Sequence, residues 1–141
     1  MAKKVKIEDI KAWAREVSTY PDVSPNLLAA IATVESGLNP MAISSSHAMG
    51  LFQFMPITIV DLYNRFGTLV DPFDPKSATV GAKKYTAWLF HVLSGKTDDV
   101  LAAWNWGYGN LQRYGRDHMP QETKNFIQRV KKELERLKTK K

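Results

Sequence analysis

The sequence predicts a mainly α fold: one helical domain with little or no β-sheet. Three observations carry that prediction. Apolar residues recur at three- and four-residue spacing along most of the chain, proline and glycine punctuate these stretches where helices start and stop, and period-two alternation is essentially absent. A chain of 141 residues can bury one core but not two. With no repeat and no low-complexity linker, residues 1–141 are expected to form a single domain.

Ile7 to Ser18 carries Ile7, Ile10, Trp13, Ala14 and Val17, the stripe of an amphipathic helix. Ser24-Pro25 reads as an N-cap followed by a proline at the first helical position. Leu27, Leu28, Ile31 and Val34 then share a face, and Gly37 stops the helix. Residues 38–48, with Asn39-Pro40 and Ser44-Ser45-Ser46, read as loop. Pro56 opens a helix carrying Ile59, Val60, Leu62, Tyr63 and Phe66, closed by Gly67. After the connector Asp71–Pro75, Asp74-Pro75 repeats the cap-and-proline signal for a helix over about 76–93, ended before Gly95. Thr97-Asp98-Asp99 caps a short helix with Val100, Leu101 and Trp104, which Gly107 and Gly109 are expected to break. Pro120 starts the last helix, over about 120–138, with Phe126, Ile127, Val130, Leu134 and Leu137 inside.

Composition removes several function classes. With no cysteine, there is no disulfide framework, thiolate metal site or cysteine nucleophile. His47, His91 and His118 are scattered, with no HExxH pair, so no metal is expected; a P-loop and a G-x-S-x-G elbow are also missing, and no cofactor is expected. The N-terminal stretch from Met1 to Asp9 is charged rather than apolar, and no run approaches a membrane span, so a soluble, cytosolically made protein is expected. The net charge of +6 resides entirely in Lys124–Lys141, the rest of the chain being balanced. Such a segment suits polyanions, nucleic acid or an anionic envelope polymer, or else is a solvated helix end complementing its own dipole.

Glu35 is the leading candidate for chemistry. It lies four residues after Ile31 and seven after Leu28, on the apolar face, in the last turn of its helix. Desolvation and the helix dipole both favour the protonated form there, as a general acid requires. The alternative is a carboxylate that ends the stripe and turns to solvent. Gln53, amid Gly50-Leu51-Phe52-Gln53-Phe54-Met55-Pro56, can donate and accept towards a sugar, or else ties down its loop. Asn105, four after Leu101, is expected to face inward beside Trp104. Trp106-Gly107-Tyr108-Gly109 offers aromatic faces with small residues between; Trp88 and Trp104 serve equally well as core.

At these residues the chain resembles the soluble lytic transglycosylase domain family, related in fold to goose-type lysozyme, over about Val23 to Val130. Glu35-Ser36-x-x-Asn39-Pro40 with Ser44 and Ala48-x-Gly50-Leu51-Phe52-Gln53-Phe54-Met55-Pro56 forms the first motif. Ala103-Trp104-Asn105-x-Gly107 and Pro120-x-Glu122-Thr123-x-x-Phe126-Ile127 follow in the family's order. The resemblance implies a lysozyme-like helical domain with a substrate cleft. It implies Glu35 as the single catalytic acid/base, with Ser44, Gln53 and Met55 contacting substrate, Asn105 and its neighbours Trp104 and Tyr108 lining the opposite wall, and Ser36 and Phe126 beside the acid. Three positions depart from the family pattern. Trp104 and Phe126 each replace a tyrosine, which at 126 removes a hydroxyl that approaches the acid, and His47 stands where glycine is common.

The activity implied is cleavage of the bond between N-acetylmuramic acid and N-acetylglucosamine in a peptidoglycan strand, with closure of a 1,6-anhydro ring. A goose-type hydrolase, which needs a second carboxylate such as Asp61, Asp71 or Asp74 to reach the site, and a non-catalytic wall-binding protein are the alternatives. Without an export signal, a bacteriophage endolysin or a virion-borne enzyme fits, as does a secretion-system enzyme or an excised domain, the basic last helix holding an envelope polymer or a virion protein.

Overall fold

A computed structural model of the chain describes residues 3–139. Seven α-helices and one 3₁₀ turn supply its regular structure: α1 (Ile7–Arg15), α2 (Pro25–Ser36), α3 (Pro56–Phe66), α4 (Pro75–Val92), α5 (Thr97–Trp106), α6 (Tyr108–Tyr114), the turn Arg116–His118, and α7 (Gln121–Thr139). No strand occurs among the described residues. Isolated bridges pair Ile43 with Met49 and Met49 with Phe54 in the loop between α2 and α3.

The helix boundaries follow local chemistry. The Ser24 hydroxyl accepts from the Leu27 amide at 3.4 Å at the start of α2, and Asp74 accepts from Ser77 N at 3.1 Å at the start of α4. Gly37 (φ 62°) and Gly67 (φ 65°) close α2 and α3 in the left-handed region, where glycine carries no steric penalty. The first helix stops at Arg15, short of the expected Ser18. Pro21 has no N–H to take the Val17 carbonyl; the buried Lys83 ammonium takes it instead at 2.5 Å, with the Ala14 carbonyl at 2.7 Å. Asp22 completes this clamp at 3.0 Å, and the lysine beside it lowers its carboxyl below the ordinary value.

Expectations for Gly109 and for the apolar face of α3 are corrected. Gly107, at φ 102°, ends α5 as expected, but Gly109 does not break helical structure: it lies inside α6, which Leu111 anchors in the core. The apolar residues of α3 do not all point inward either. Leu62 is buried, but Ile57, Val60 and Tyr63 are more than half exposed, because α3 packs chiefly against α4.

The centre of the molecule is α2, whose buried run Leu27–Ala32 packs against α1, α4 and α7. Next to it, α5 packs against α4, α6 and α7. Small side chains from Ala29, Ala30, Ala32, Ala102 and Ala103 are buried in this zone. The inner stripe of α7 is Phe126, Ile127, Val130 and Leu137, with Leu134 partly buried against the core. Its cations Lys124, Arg129, Lys131, Lys132, Arg136 and Lys138 are exposed. Arg116 donates to both carboxylate oxygens of Asp99 at 2.7 Å, tying the 3₁₀ turn to α5. No helix among the described residues is long and apolar enough to cross a membrane.

Candidate active site

The last turn of α2 carries Glu35 between two recesses. The first, of about 340 Å³, is bounded by the loop residues Ser44, Gln53 and Met55, by Tyr85 of α4, and by Trp104 and Asn105 of α5. The second, of about 590 Å³, lies towards α7 and is bounded by Val34, Gln121, Glu122, Phe126 and Arg129. Asn105 and Glu122 border both.

Burial pushes the Glu35 carboxyl up from its ordinary value to about 7. The hydrogen bond from Trp104 and the positive charge of Arg129 oppose this rise, while the negative charge of Glu122 adds to it. The Trp104 indole N–H donates to Glu35 Oε2 at 2.8 Å. Its ring packs against Phe52 (6.2 Å between centroids), Phe54 (5.8 Å) and Tyr85 (5.6 Å), so the donor stands on a braced aromatic cluster. Trp104 is thus core and site wall at once.

On the loop side, Gln53 adopts φ 54° and its Nε2 donates to the carbonyls of Ala42 (3.1 Å) and Gly50 (2.9 Å). The amide therefore ties down the loop and also borders the recess; its Oε1 accepts no hydrogen bond among the described residues. Ser44 accepts through Oγ from the amides of Ser46 (3.2 Å) and Ala48 (3.0 Å). His47 sits in the same turn at φ 71°, a conformation that favours glycine and accounts for glycine being the easier residue there.

The second and third motifs are joined physically. The buried Thr123 hydroxyl donates to Asn105 Oδ1 at 2.8 Å. This fixes the orientation of the Asn105 amide and leaves its NH₂ group for the recesses.

Two expected contacts lie elsewhere. The Ser36 hydroxyl donates to the carbonyls of Leu51 (2.7 Å) and Ala32 (3.2 Å), fastening the loop to the end of α2, and Ser36 borders neither recess. Tyr108 caps the aromatic row instead of the cleft, edge-on to Trp88 at 5.1 Å. Trp88 in turn stacks on Tyr85 and is covered by the Arg65 guanidinium at 4.3 Å.

Among the residues that border the recesses without having been sequence candidates, Tyr85, Glu122 and Arg129 matter most for the site. Glu122 stood within the third motif, and its place immediately before the site-facing Thr123–Phe126 turn was the available signal. Tyr85 and Arg129 reach the site through helix packing alone. The carboxylates considered as partners for Glu35 are engaged elsewhere: Asp61 with Arg65 (3.0 Å), Asp71 with Phe73 N (3.0 Å) and Asp74 with the start of α4. Among the described residues, no group of three His, Asp or Glu side chains could hold a metal ion.

Comparison with known proteins agrees with this architecture. The chain superposes on the 70 kDa soluble lytic transglycosylase of Escherichia coli with a TM-score of 0.76 at 21% identity, covering 95% of this chain and 24% of that one. For the complex of the 70 kDa soluble lytic transglycosylase with bulgecin A the values are 0.80, 20%, 92% and 24%. For an inactive Glu-to-Gln mutant of the lytic transglycosylase Slt of Pseudomonas aeruginosa they are 0.77, 19%, 95% and 25%. These likenesses show the lysozyme-like fold, and the chain spans about a quarter of the length of the proteins concerned. The family model described as the transglycosylase SLT domain matches residues 13–127, most of the chain, and on that match the chain belongs to the SLT domain family.

Proposed function

We propose that this domain is a peptidoglycan lytic transglycosylase with Glu35 as its acid and base. The observation that supports this reading most directly is a buried carboxyl, its pKa pushed up to about 7, set between two open recesses at the end of the central helix α2. A group with that pKa holds its proton at near-neutral pH and can also act as a base.

In this mechanism Glu35 protonates the glycosidic oxygen as the bond to C1 of N-acetylmuramic acid breaks. The neighbouring N-acetyl oxygen stabilises C1, forming an oxazolinium. The Glu35 carboxylate then removes the proton of the muramyl C6 hydroxyl, O6 bonds to C1, and the N-acetyl group is released. The acid is restored and no water is consumed. Asn105 NH₂ and Gln53 Oε1 are the groups placed to orient the sugar amide and hydroxyls.

A hydrolytic reading has one observation in its favour: Glu122 is a second carboxylate bordering the same recesses, and ordinary glycosidases pair two carboxylates. Mass spectrometry of digested cell walls separates the two. Transglycosylation yields muropeptides one water lighter than hydrolysis; reducing-end muramic acid as the sole product, with loss of activity in Glu122→Gln, assigns the chain to hydrolysis.

The exposed cations of α7 are proposed to assist by attracting the anionic groups of the wall. Affinity for whole sacculi is then expected to fall with added salt between 50 and 200 mM, by roughly tenfold or less because few charges are involved. Removing charge by Lys132→Ala with Lys138→Ala should flatten that dependence; an unchanged slope removes α7 from the binding surface.

A further inference from the structure

We infer that Trp104 is a positioning residue that decides which oxygen of Glu35 carries the reactive proton. The inference rests on the reading of Glu35 as the acid. An indole N–H donates and cannot accept, and here it meets Glu35 Oε2 at 2.8 Å. In a protonated carboxyl the carbonyl oxygen is the better acceptor, so Oε2 takes that role and the proton resides on Oε1. Among the described residues Oε1 has no hydrogen-bonding partner, which leaves it for the substrate.

The same bond serves the second half of the cycle. Once Glu35 is ionised, the indole holds negative charge on Oε2, and Oε1 accepts the incoming proton. One oxygen both delivers and recovers the proton, and the carboxyl need not rotate between steps. A tyrosine or serine hydroxyl in this place could accept as well as donate, and would permit either oxygen to be protonated.

The donor is well suited to this task because its own movement is restrained. Trp104 is braced by Phe52 and Phe54 from the loop and by Tyr85 from α4. The other charged groups near Glu35 are Glu122 and Arg129, both on α7. They change the electrostatic potential at the carboxyl but form no hydrogen bond with it, and so do not distinguish its two oxygens. The Phe126 ring, buried at the recess wall, has no polar atom to offer. The indole is the sole protein donor to this carboxyl among the described residues.

The test replaces Trp104 by its benzothiophene analogue, which keeps the bicyclic shape and removes the N–H, alongside Trp104→Phe. Kinetics on purified sacculi and a ¹³C titration of the Glu35 carboxyl are followed in the full chain. Losing a hydrogen bond that favours the ionised form should raise the Glu35 titration and the alkaline limb of the rate profile by about one pH unit. The maximal rate should fall about tenfold with KM within about twofold of the parent, since the acid is less well placed but sugar contacts persist. An unshifted titration with unchanged rate for the analogue overturns the inference, as does an effect confined to KM, which would make Trp104 a sugar platform. Glu35→Gln run in parallel separates the two levels. Activity in that variant removes the acid assignment itself, whereas an inactive Glu35→Gln beside a fully active analogue removes only the role of the indole.

Discussion

Glu35→Gln is expected to lower wall-clearing activity by about a thousandfold, the usual worth of a positioned general acid, while leaving the fold intact. Glutamine has nearly the same shape, and its carbonyl can still accept the Trp104 N–H, so the aromatic cluster loses nothing. The variant should also be more stable than the parent in alkaline solution. The folded-state pKa of about 7 lies above the ordinary value of 4.5, so between these values the native state holds a proton that the unfolded chain has released. Stability of the parent therefore falls as pH rises through this window, by a total on the order of 3 kcal/mol, and the amide variant lacks that loss. Clearing on a wall-containing gel and thermal melts at pH 5 and pH 8 check both halves. Equal clearing by the two proteins, or a parent whose stability ignores pH across that range, would remove Glu35 from the centre of the mechanism.

Gly50→Ala should produce the largest loss of stability of any single methyl added to the chain. Gly50 has φ 79°, and a Cβ there would lie 1.7 Å from the Pro72 carbonyl oxygen. That neighbour is backbone, so it cannot rotate away. The site loop and the 71–75 connector must separate, and the two hydrogen bonds from Gln53 to the Gly50 carbonyl are strained with them. A cost of about 4 kcal/mol or more is expected, lowering Tm by roughly 10 °C or more. Gly37→Ala is the matched control. Its φ is also positive, but nothing lies within 4 Å of the added carbon, so it should cost only about 1 kcal/mol. Equal melting of the two variants would show that the loop does not seat on Pro72.

These contrasts mark which parts of the fold the residues announce and which they conceal. Ser24-Pro25, Pro56, Gly67 and Asp74-Pro75 declare helix ends because capping is a negotiation among four or five adjacent residues. Gly109 conceals α6, since a glycine weakens a helix without forbidding it, and tertiary burial of Leu111 outweighs the cost. Val60 and Tyr63 look like core by period, yet whether a face is covered depends on what packs over it.

The same division runs through the site. Glu35 could be singled out because its spacing and its motif both lie within one helix and the loop that follows. Trp104 looked like the loss of a hydroxyl; that it brings a donor of its own to a carboxylate 69 residues away is a fact of packing. Tyr85 and Arg129 carry no motif and enter only when α4 and α7 close on α2. Thr123 and Asn105 sat in separate motifs, and nothing in their spacing states that one holds the other.

The unequal anchorage of the two cleft walls has a mechanical consequence. The wall that holds the acid is clamped on three flanks, whereas Met55 and Thr58 stand at the start of a helix that leans chiefly on a single neighbour and shows much of its oily side to water. Thermal motion is therefore expected to concentrate in this less anchored lip. Hydrogen exchange should then be faster in α3 than in α2, so that the gap offered to an incoming polymer varies in width while the proton donor keeps its aim.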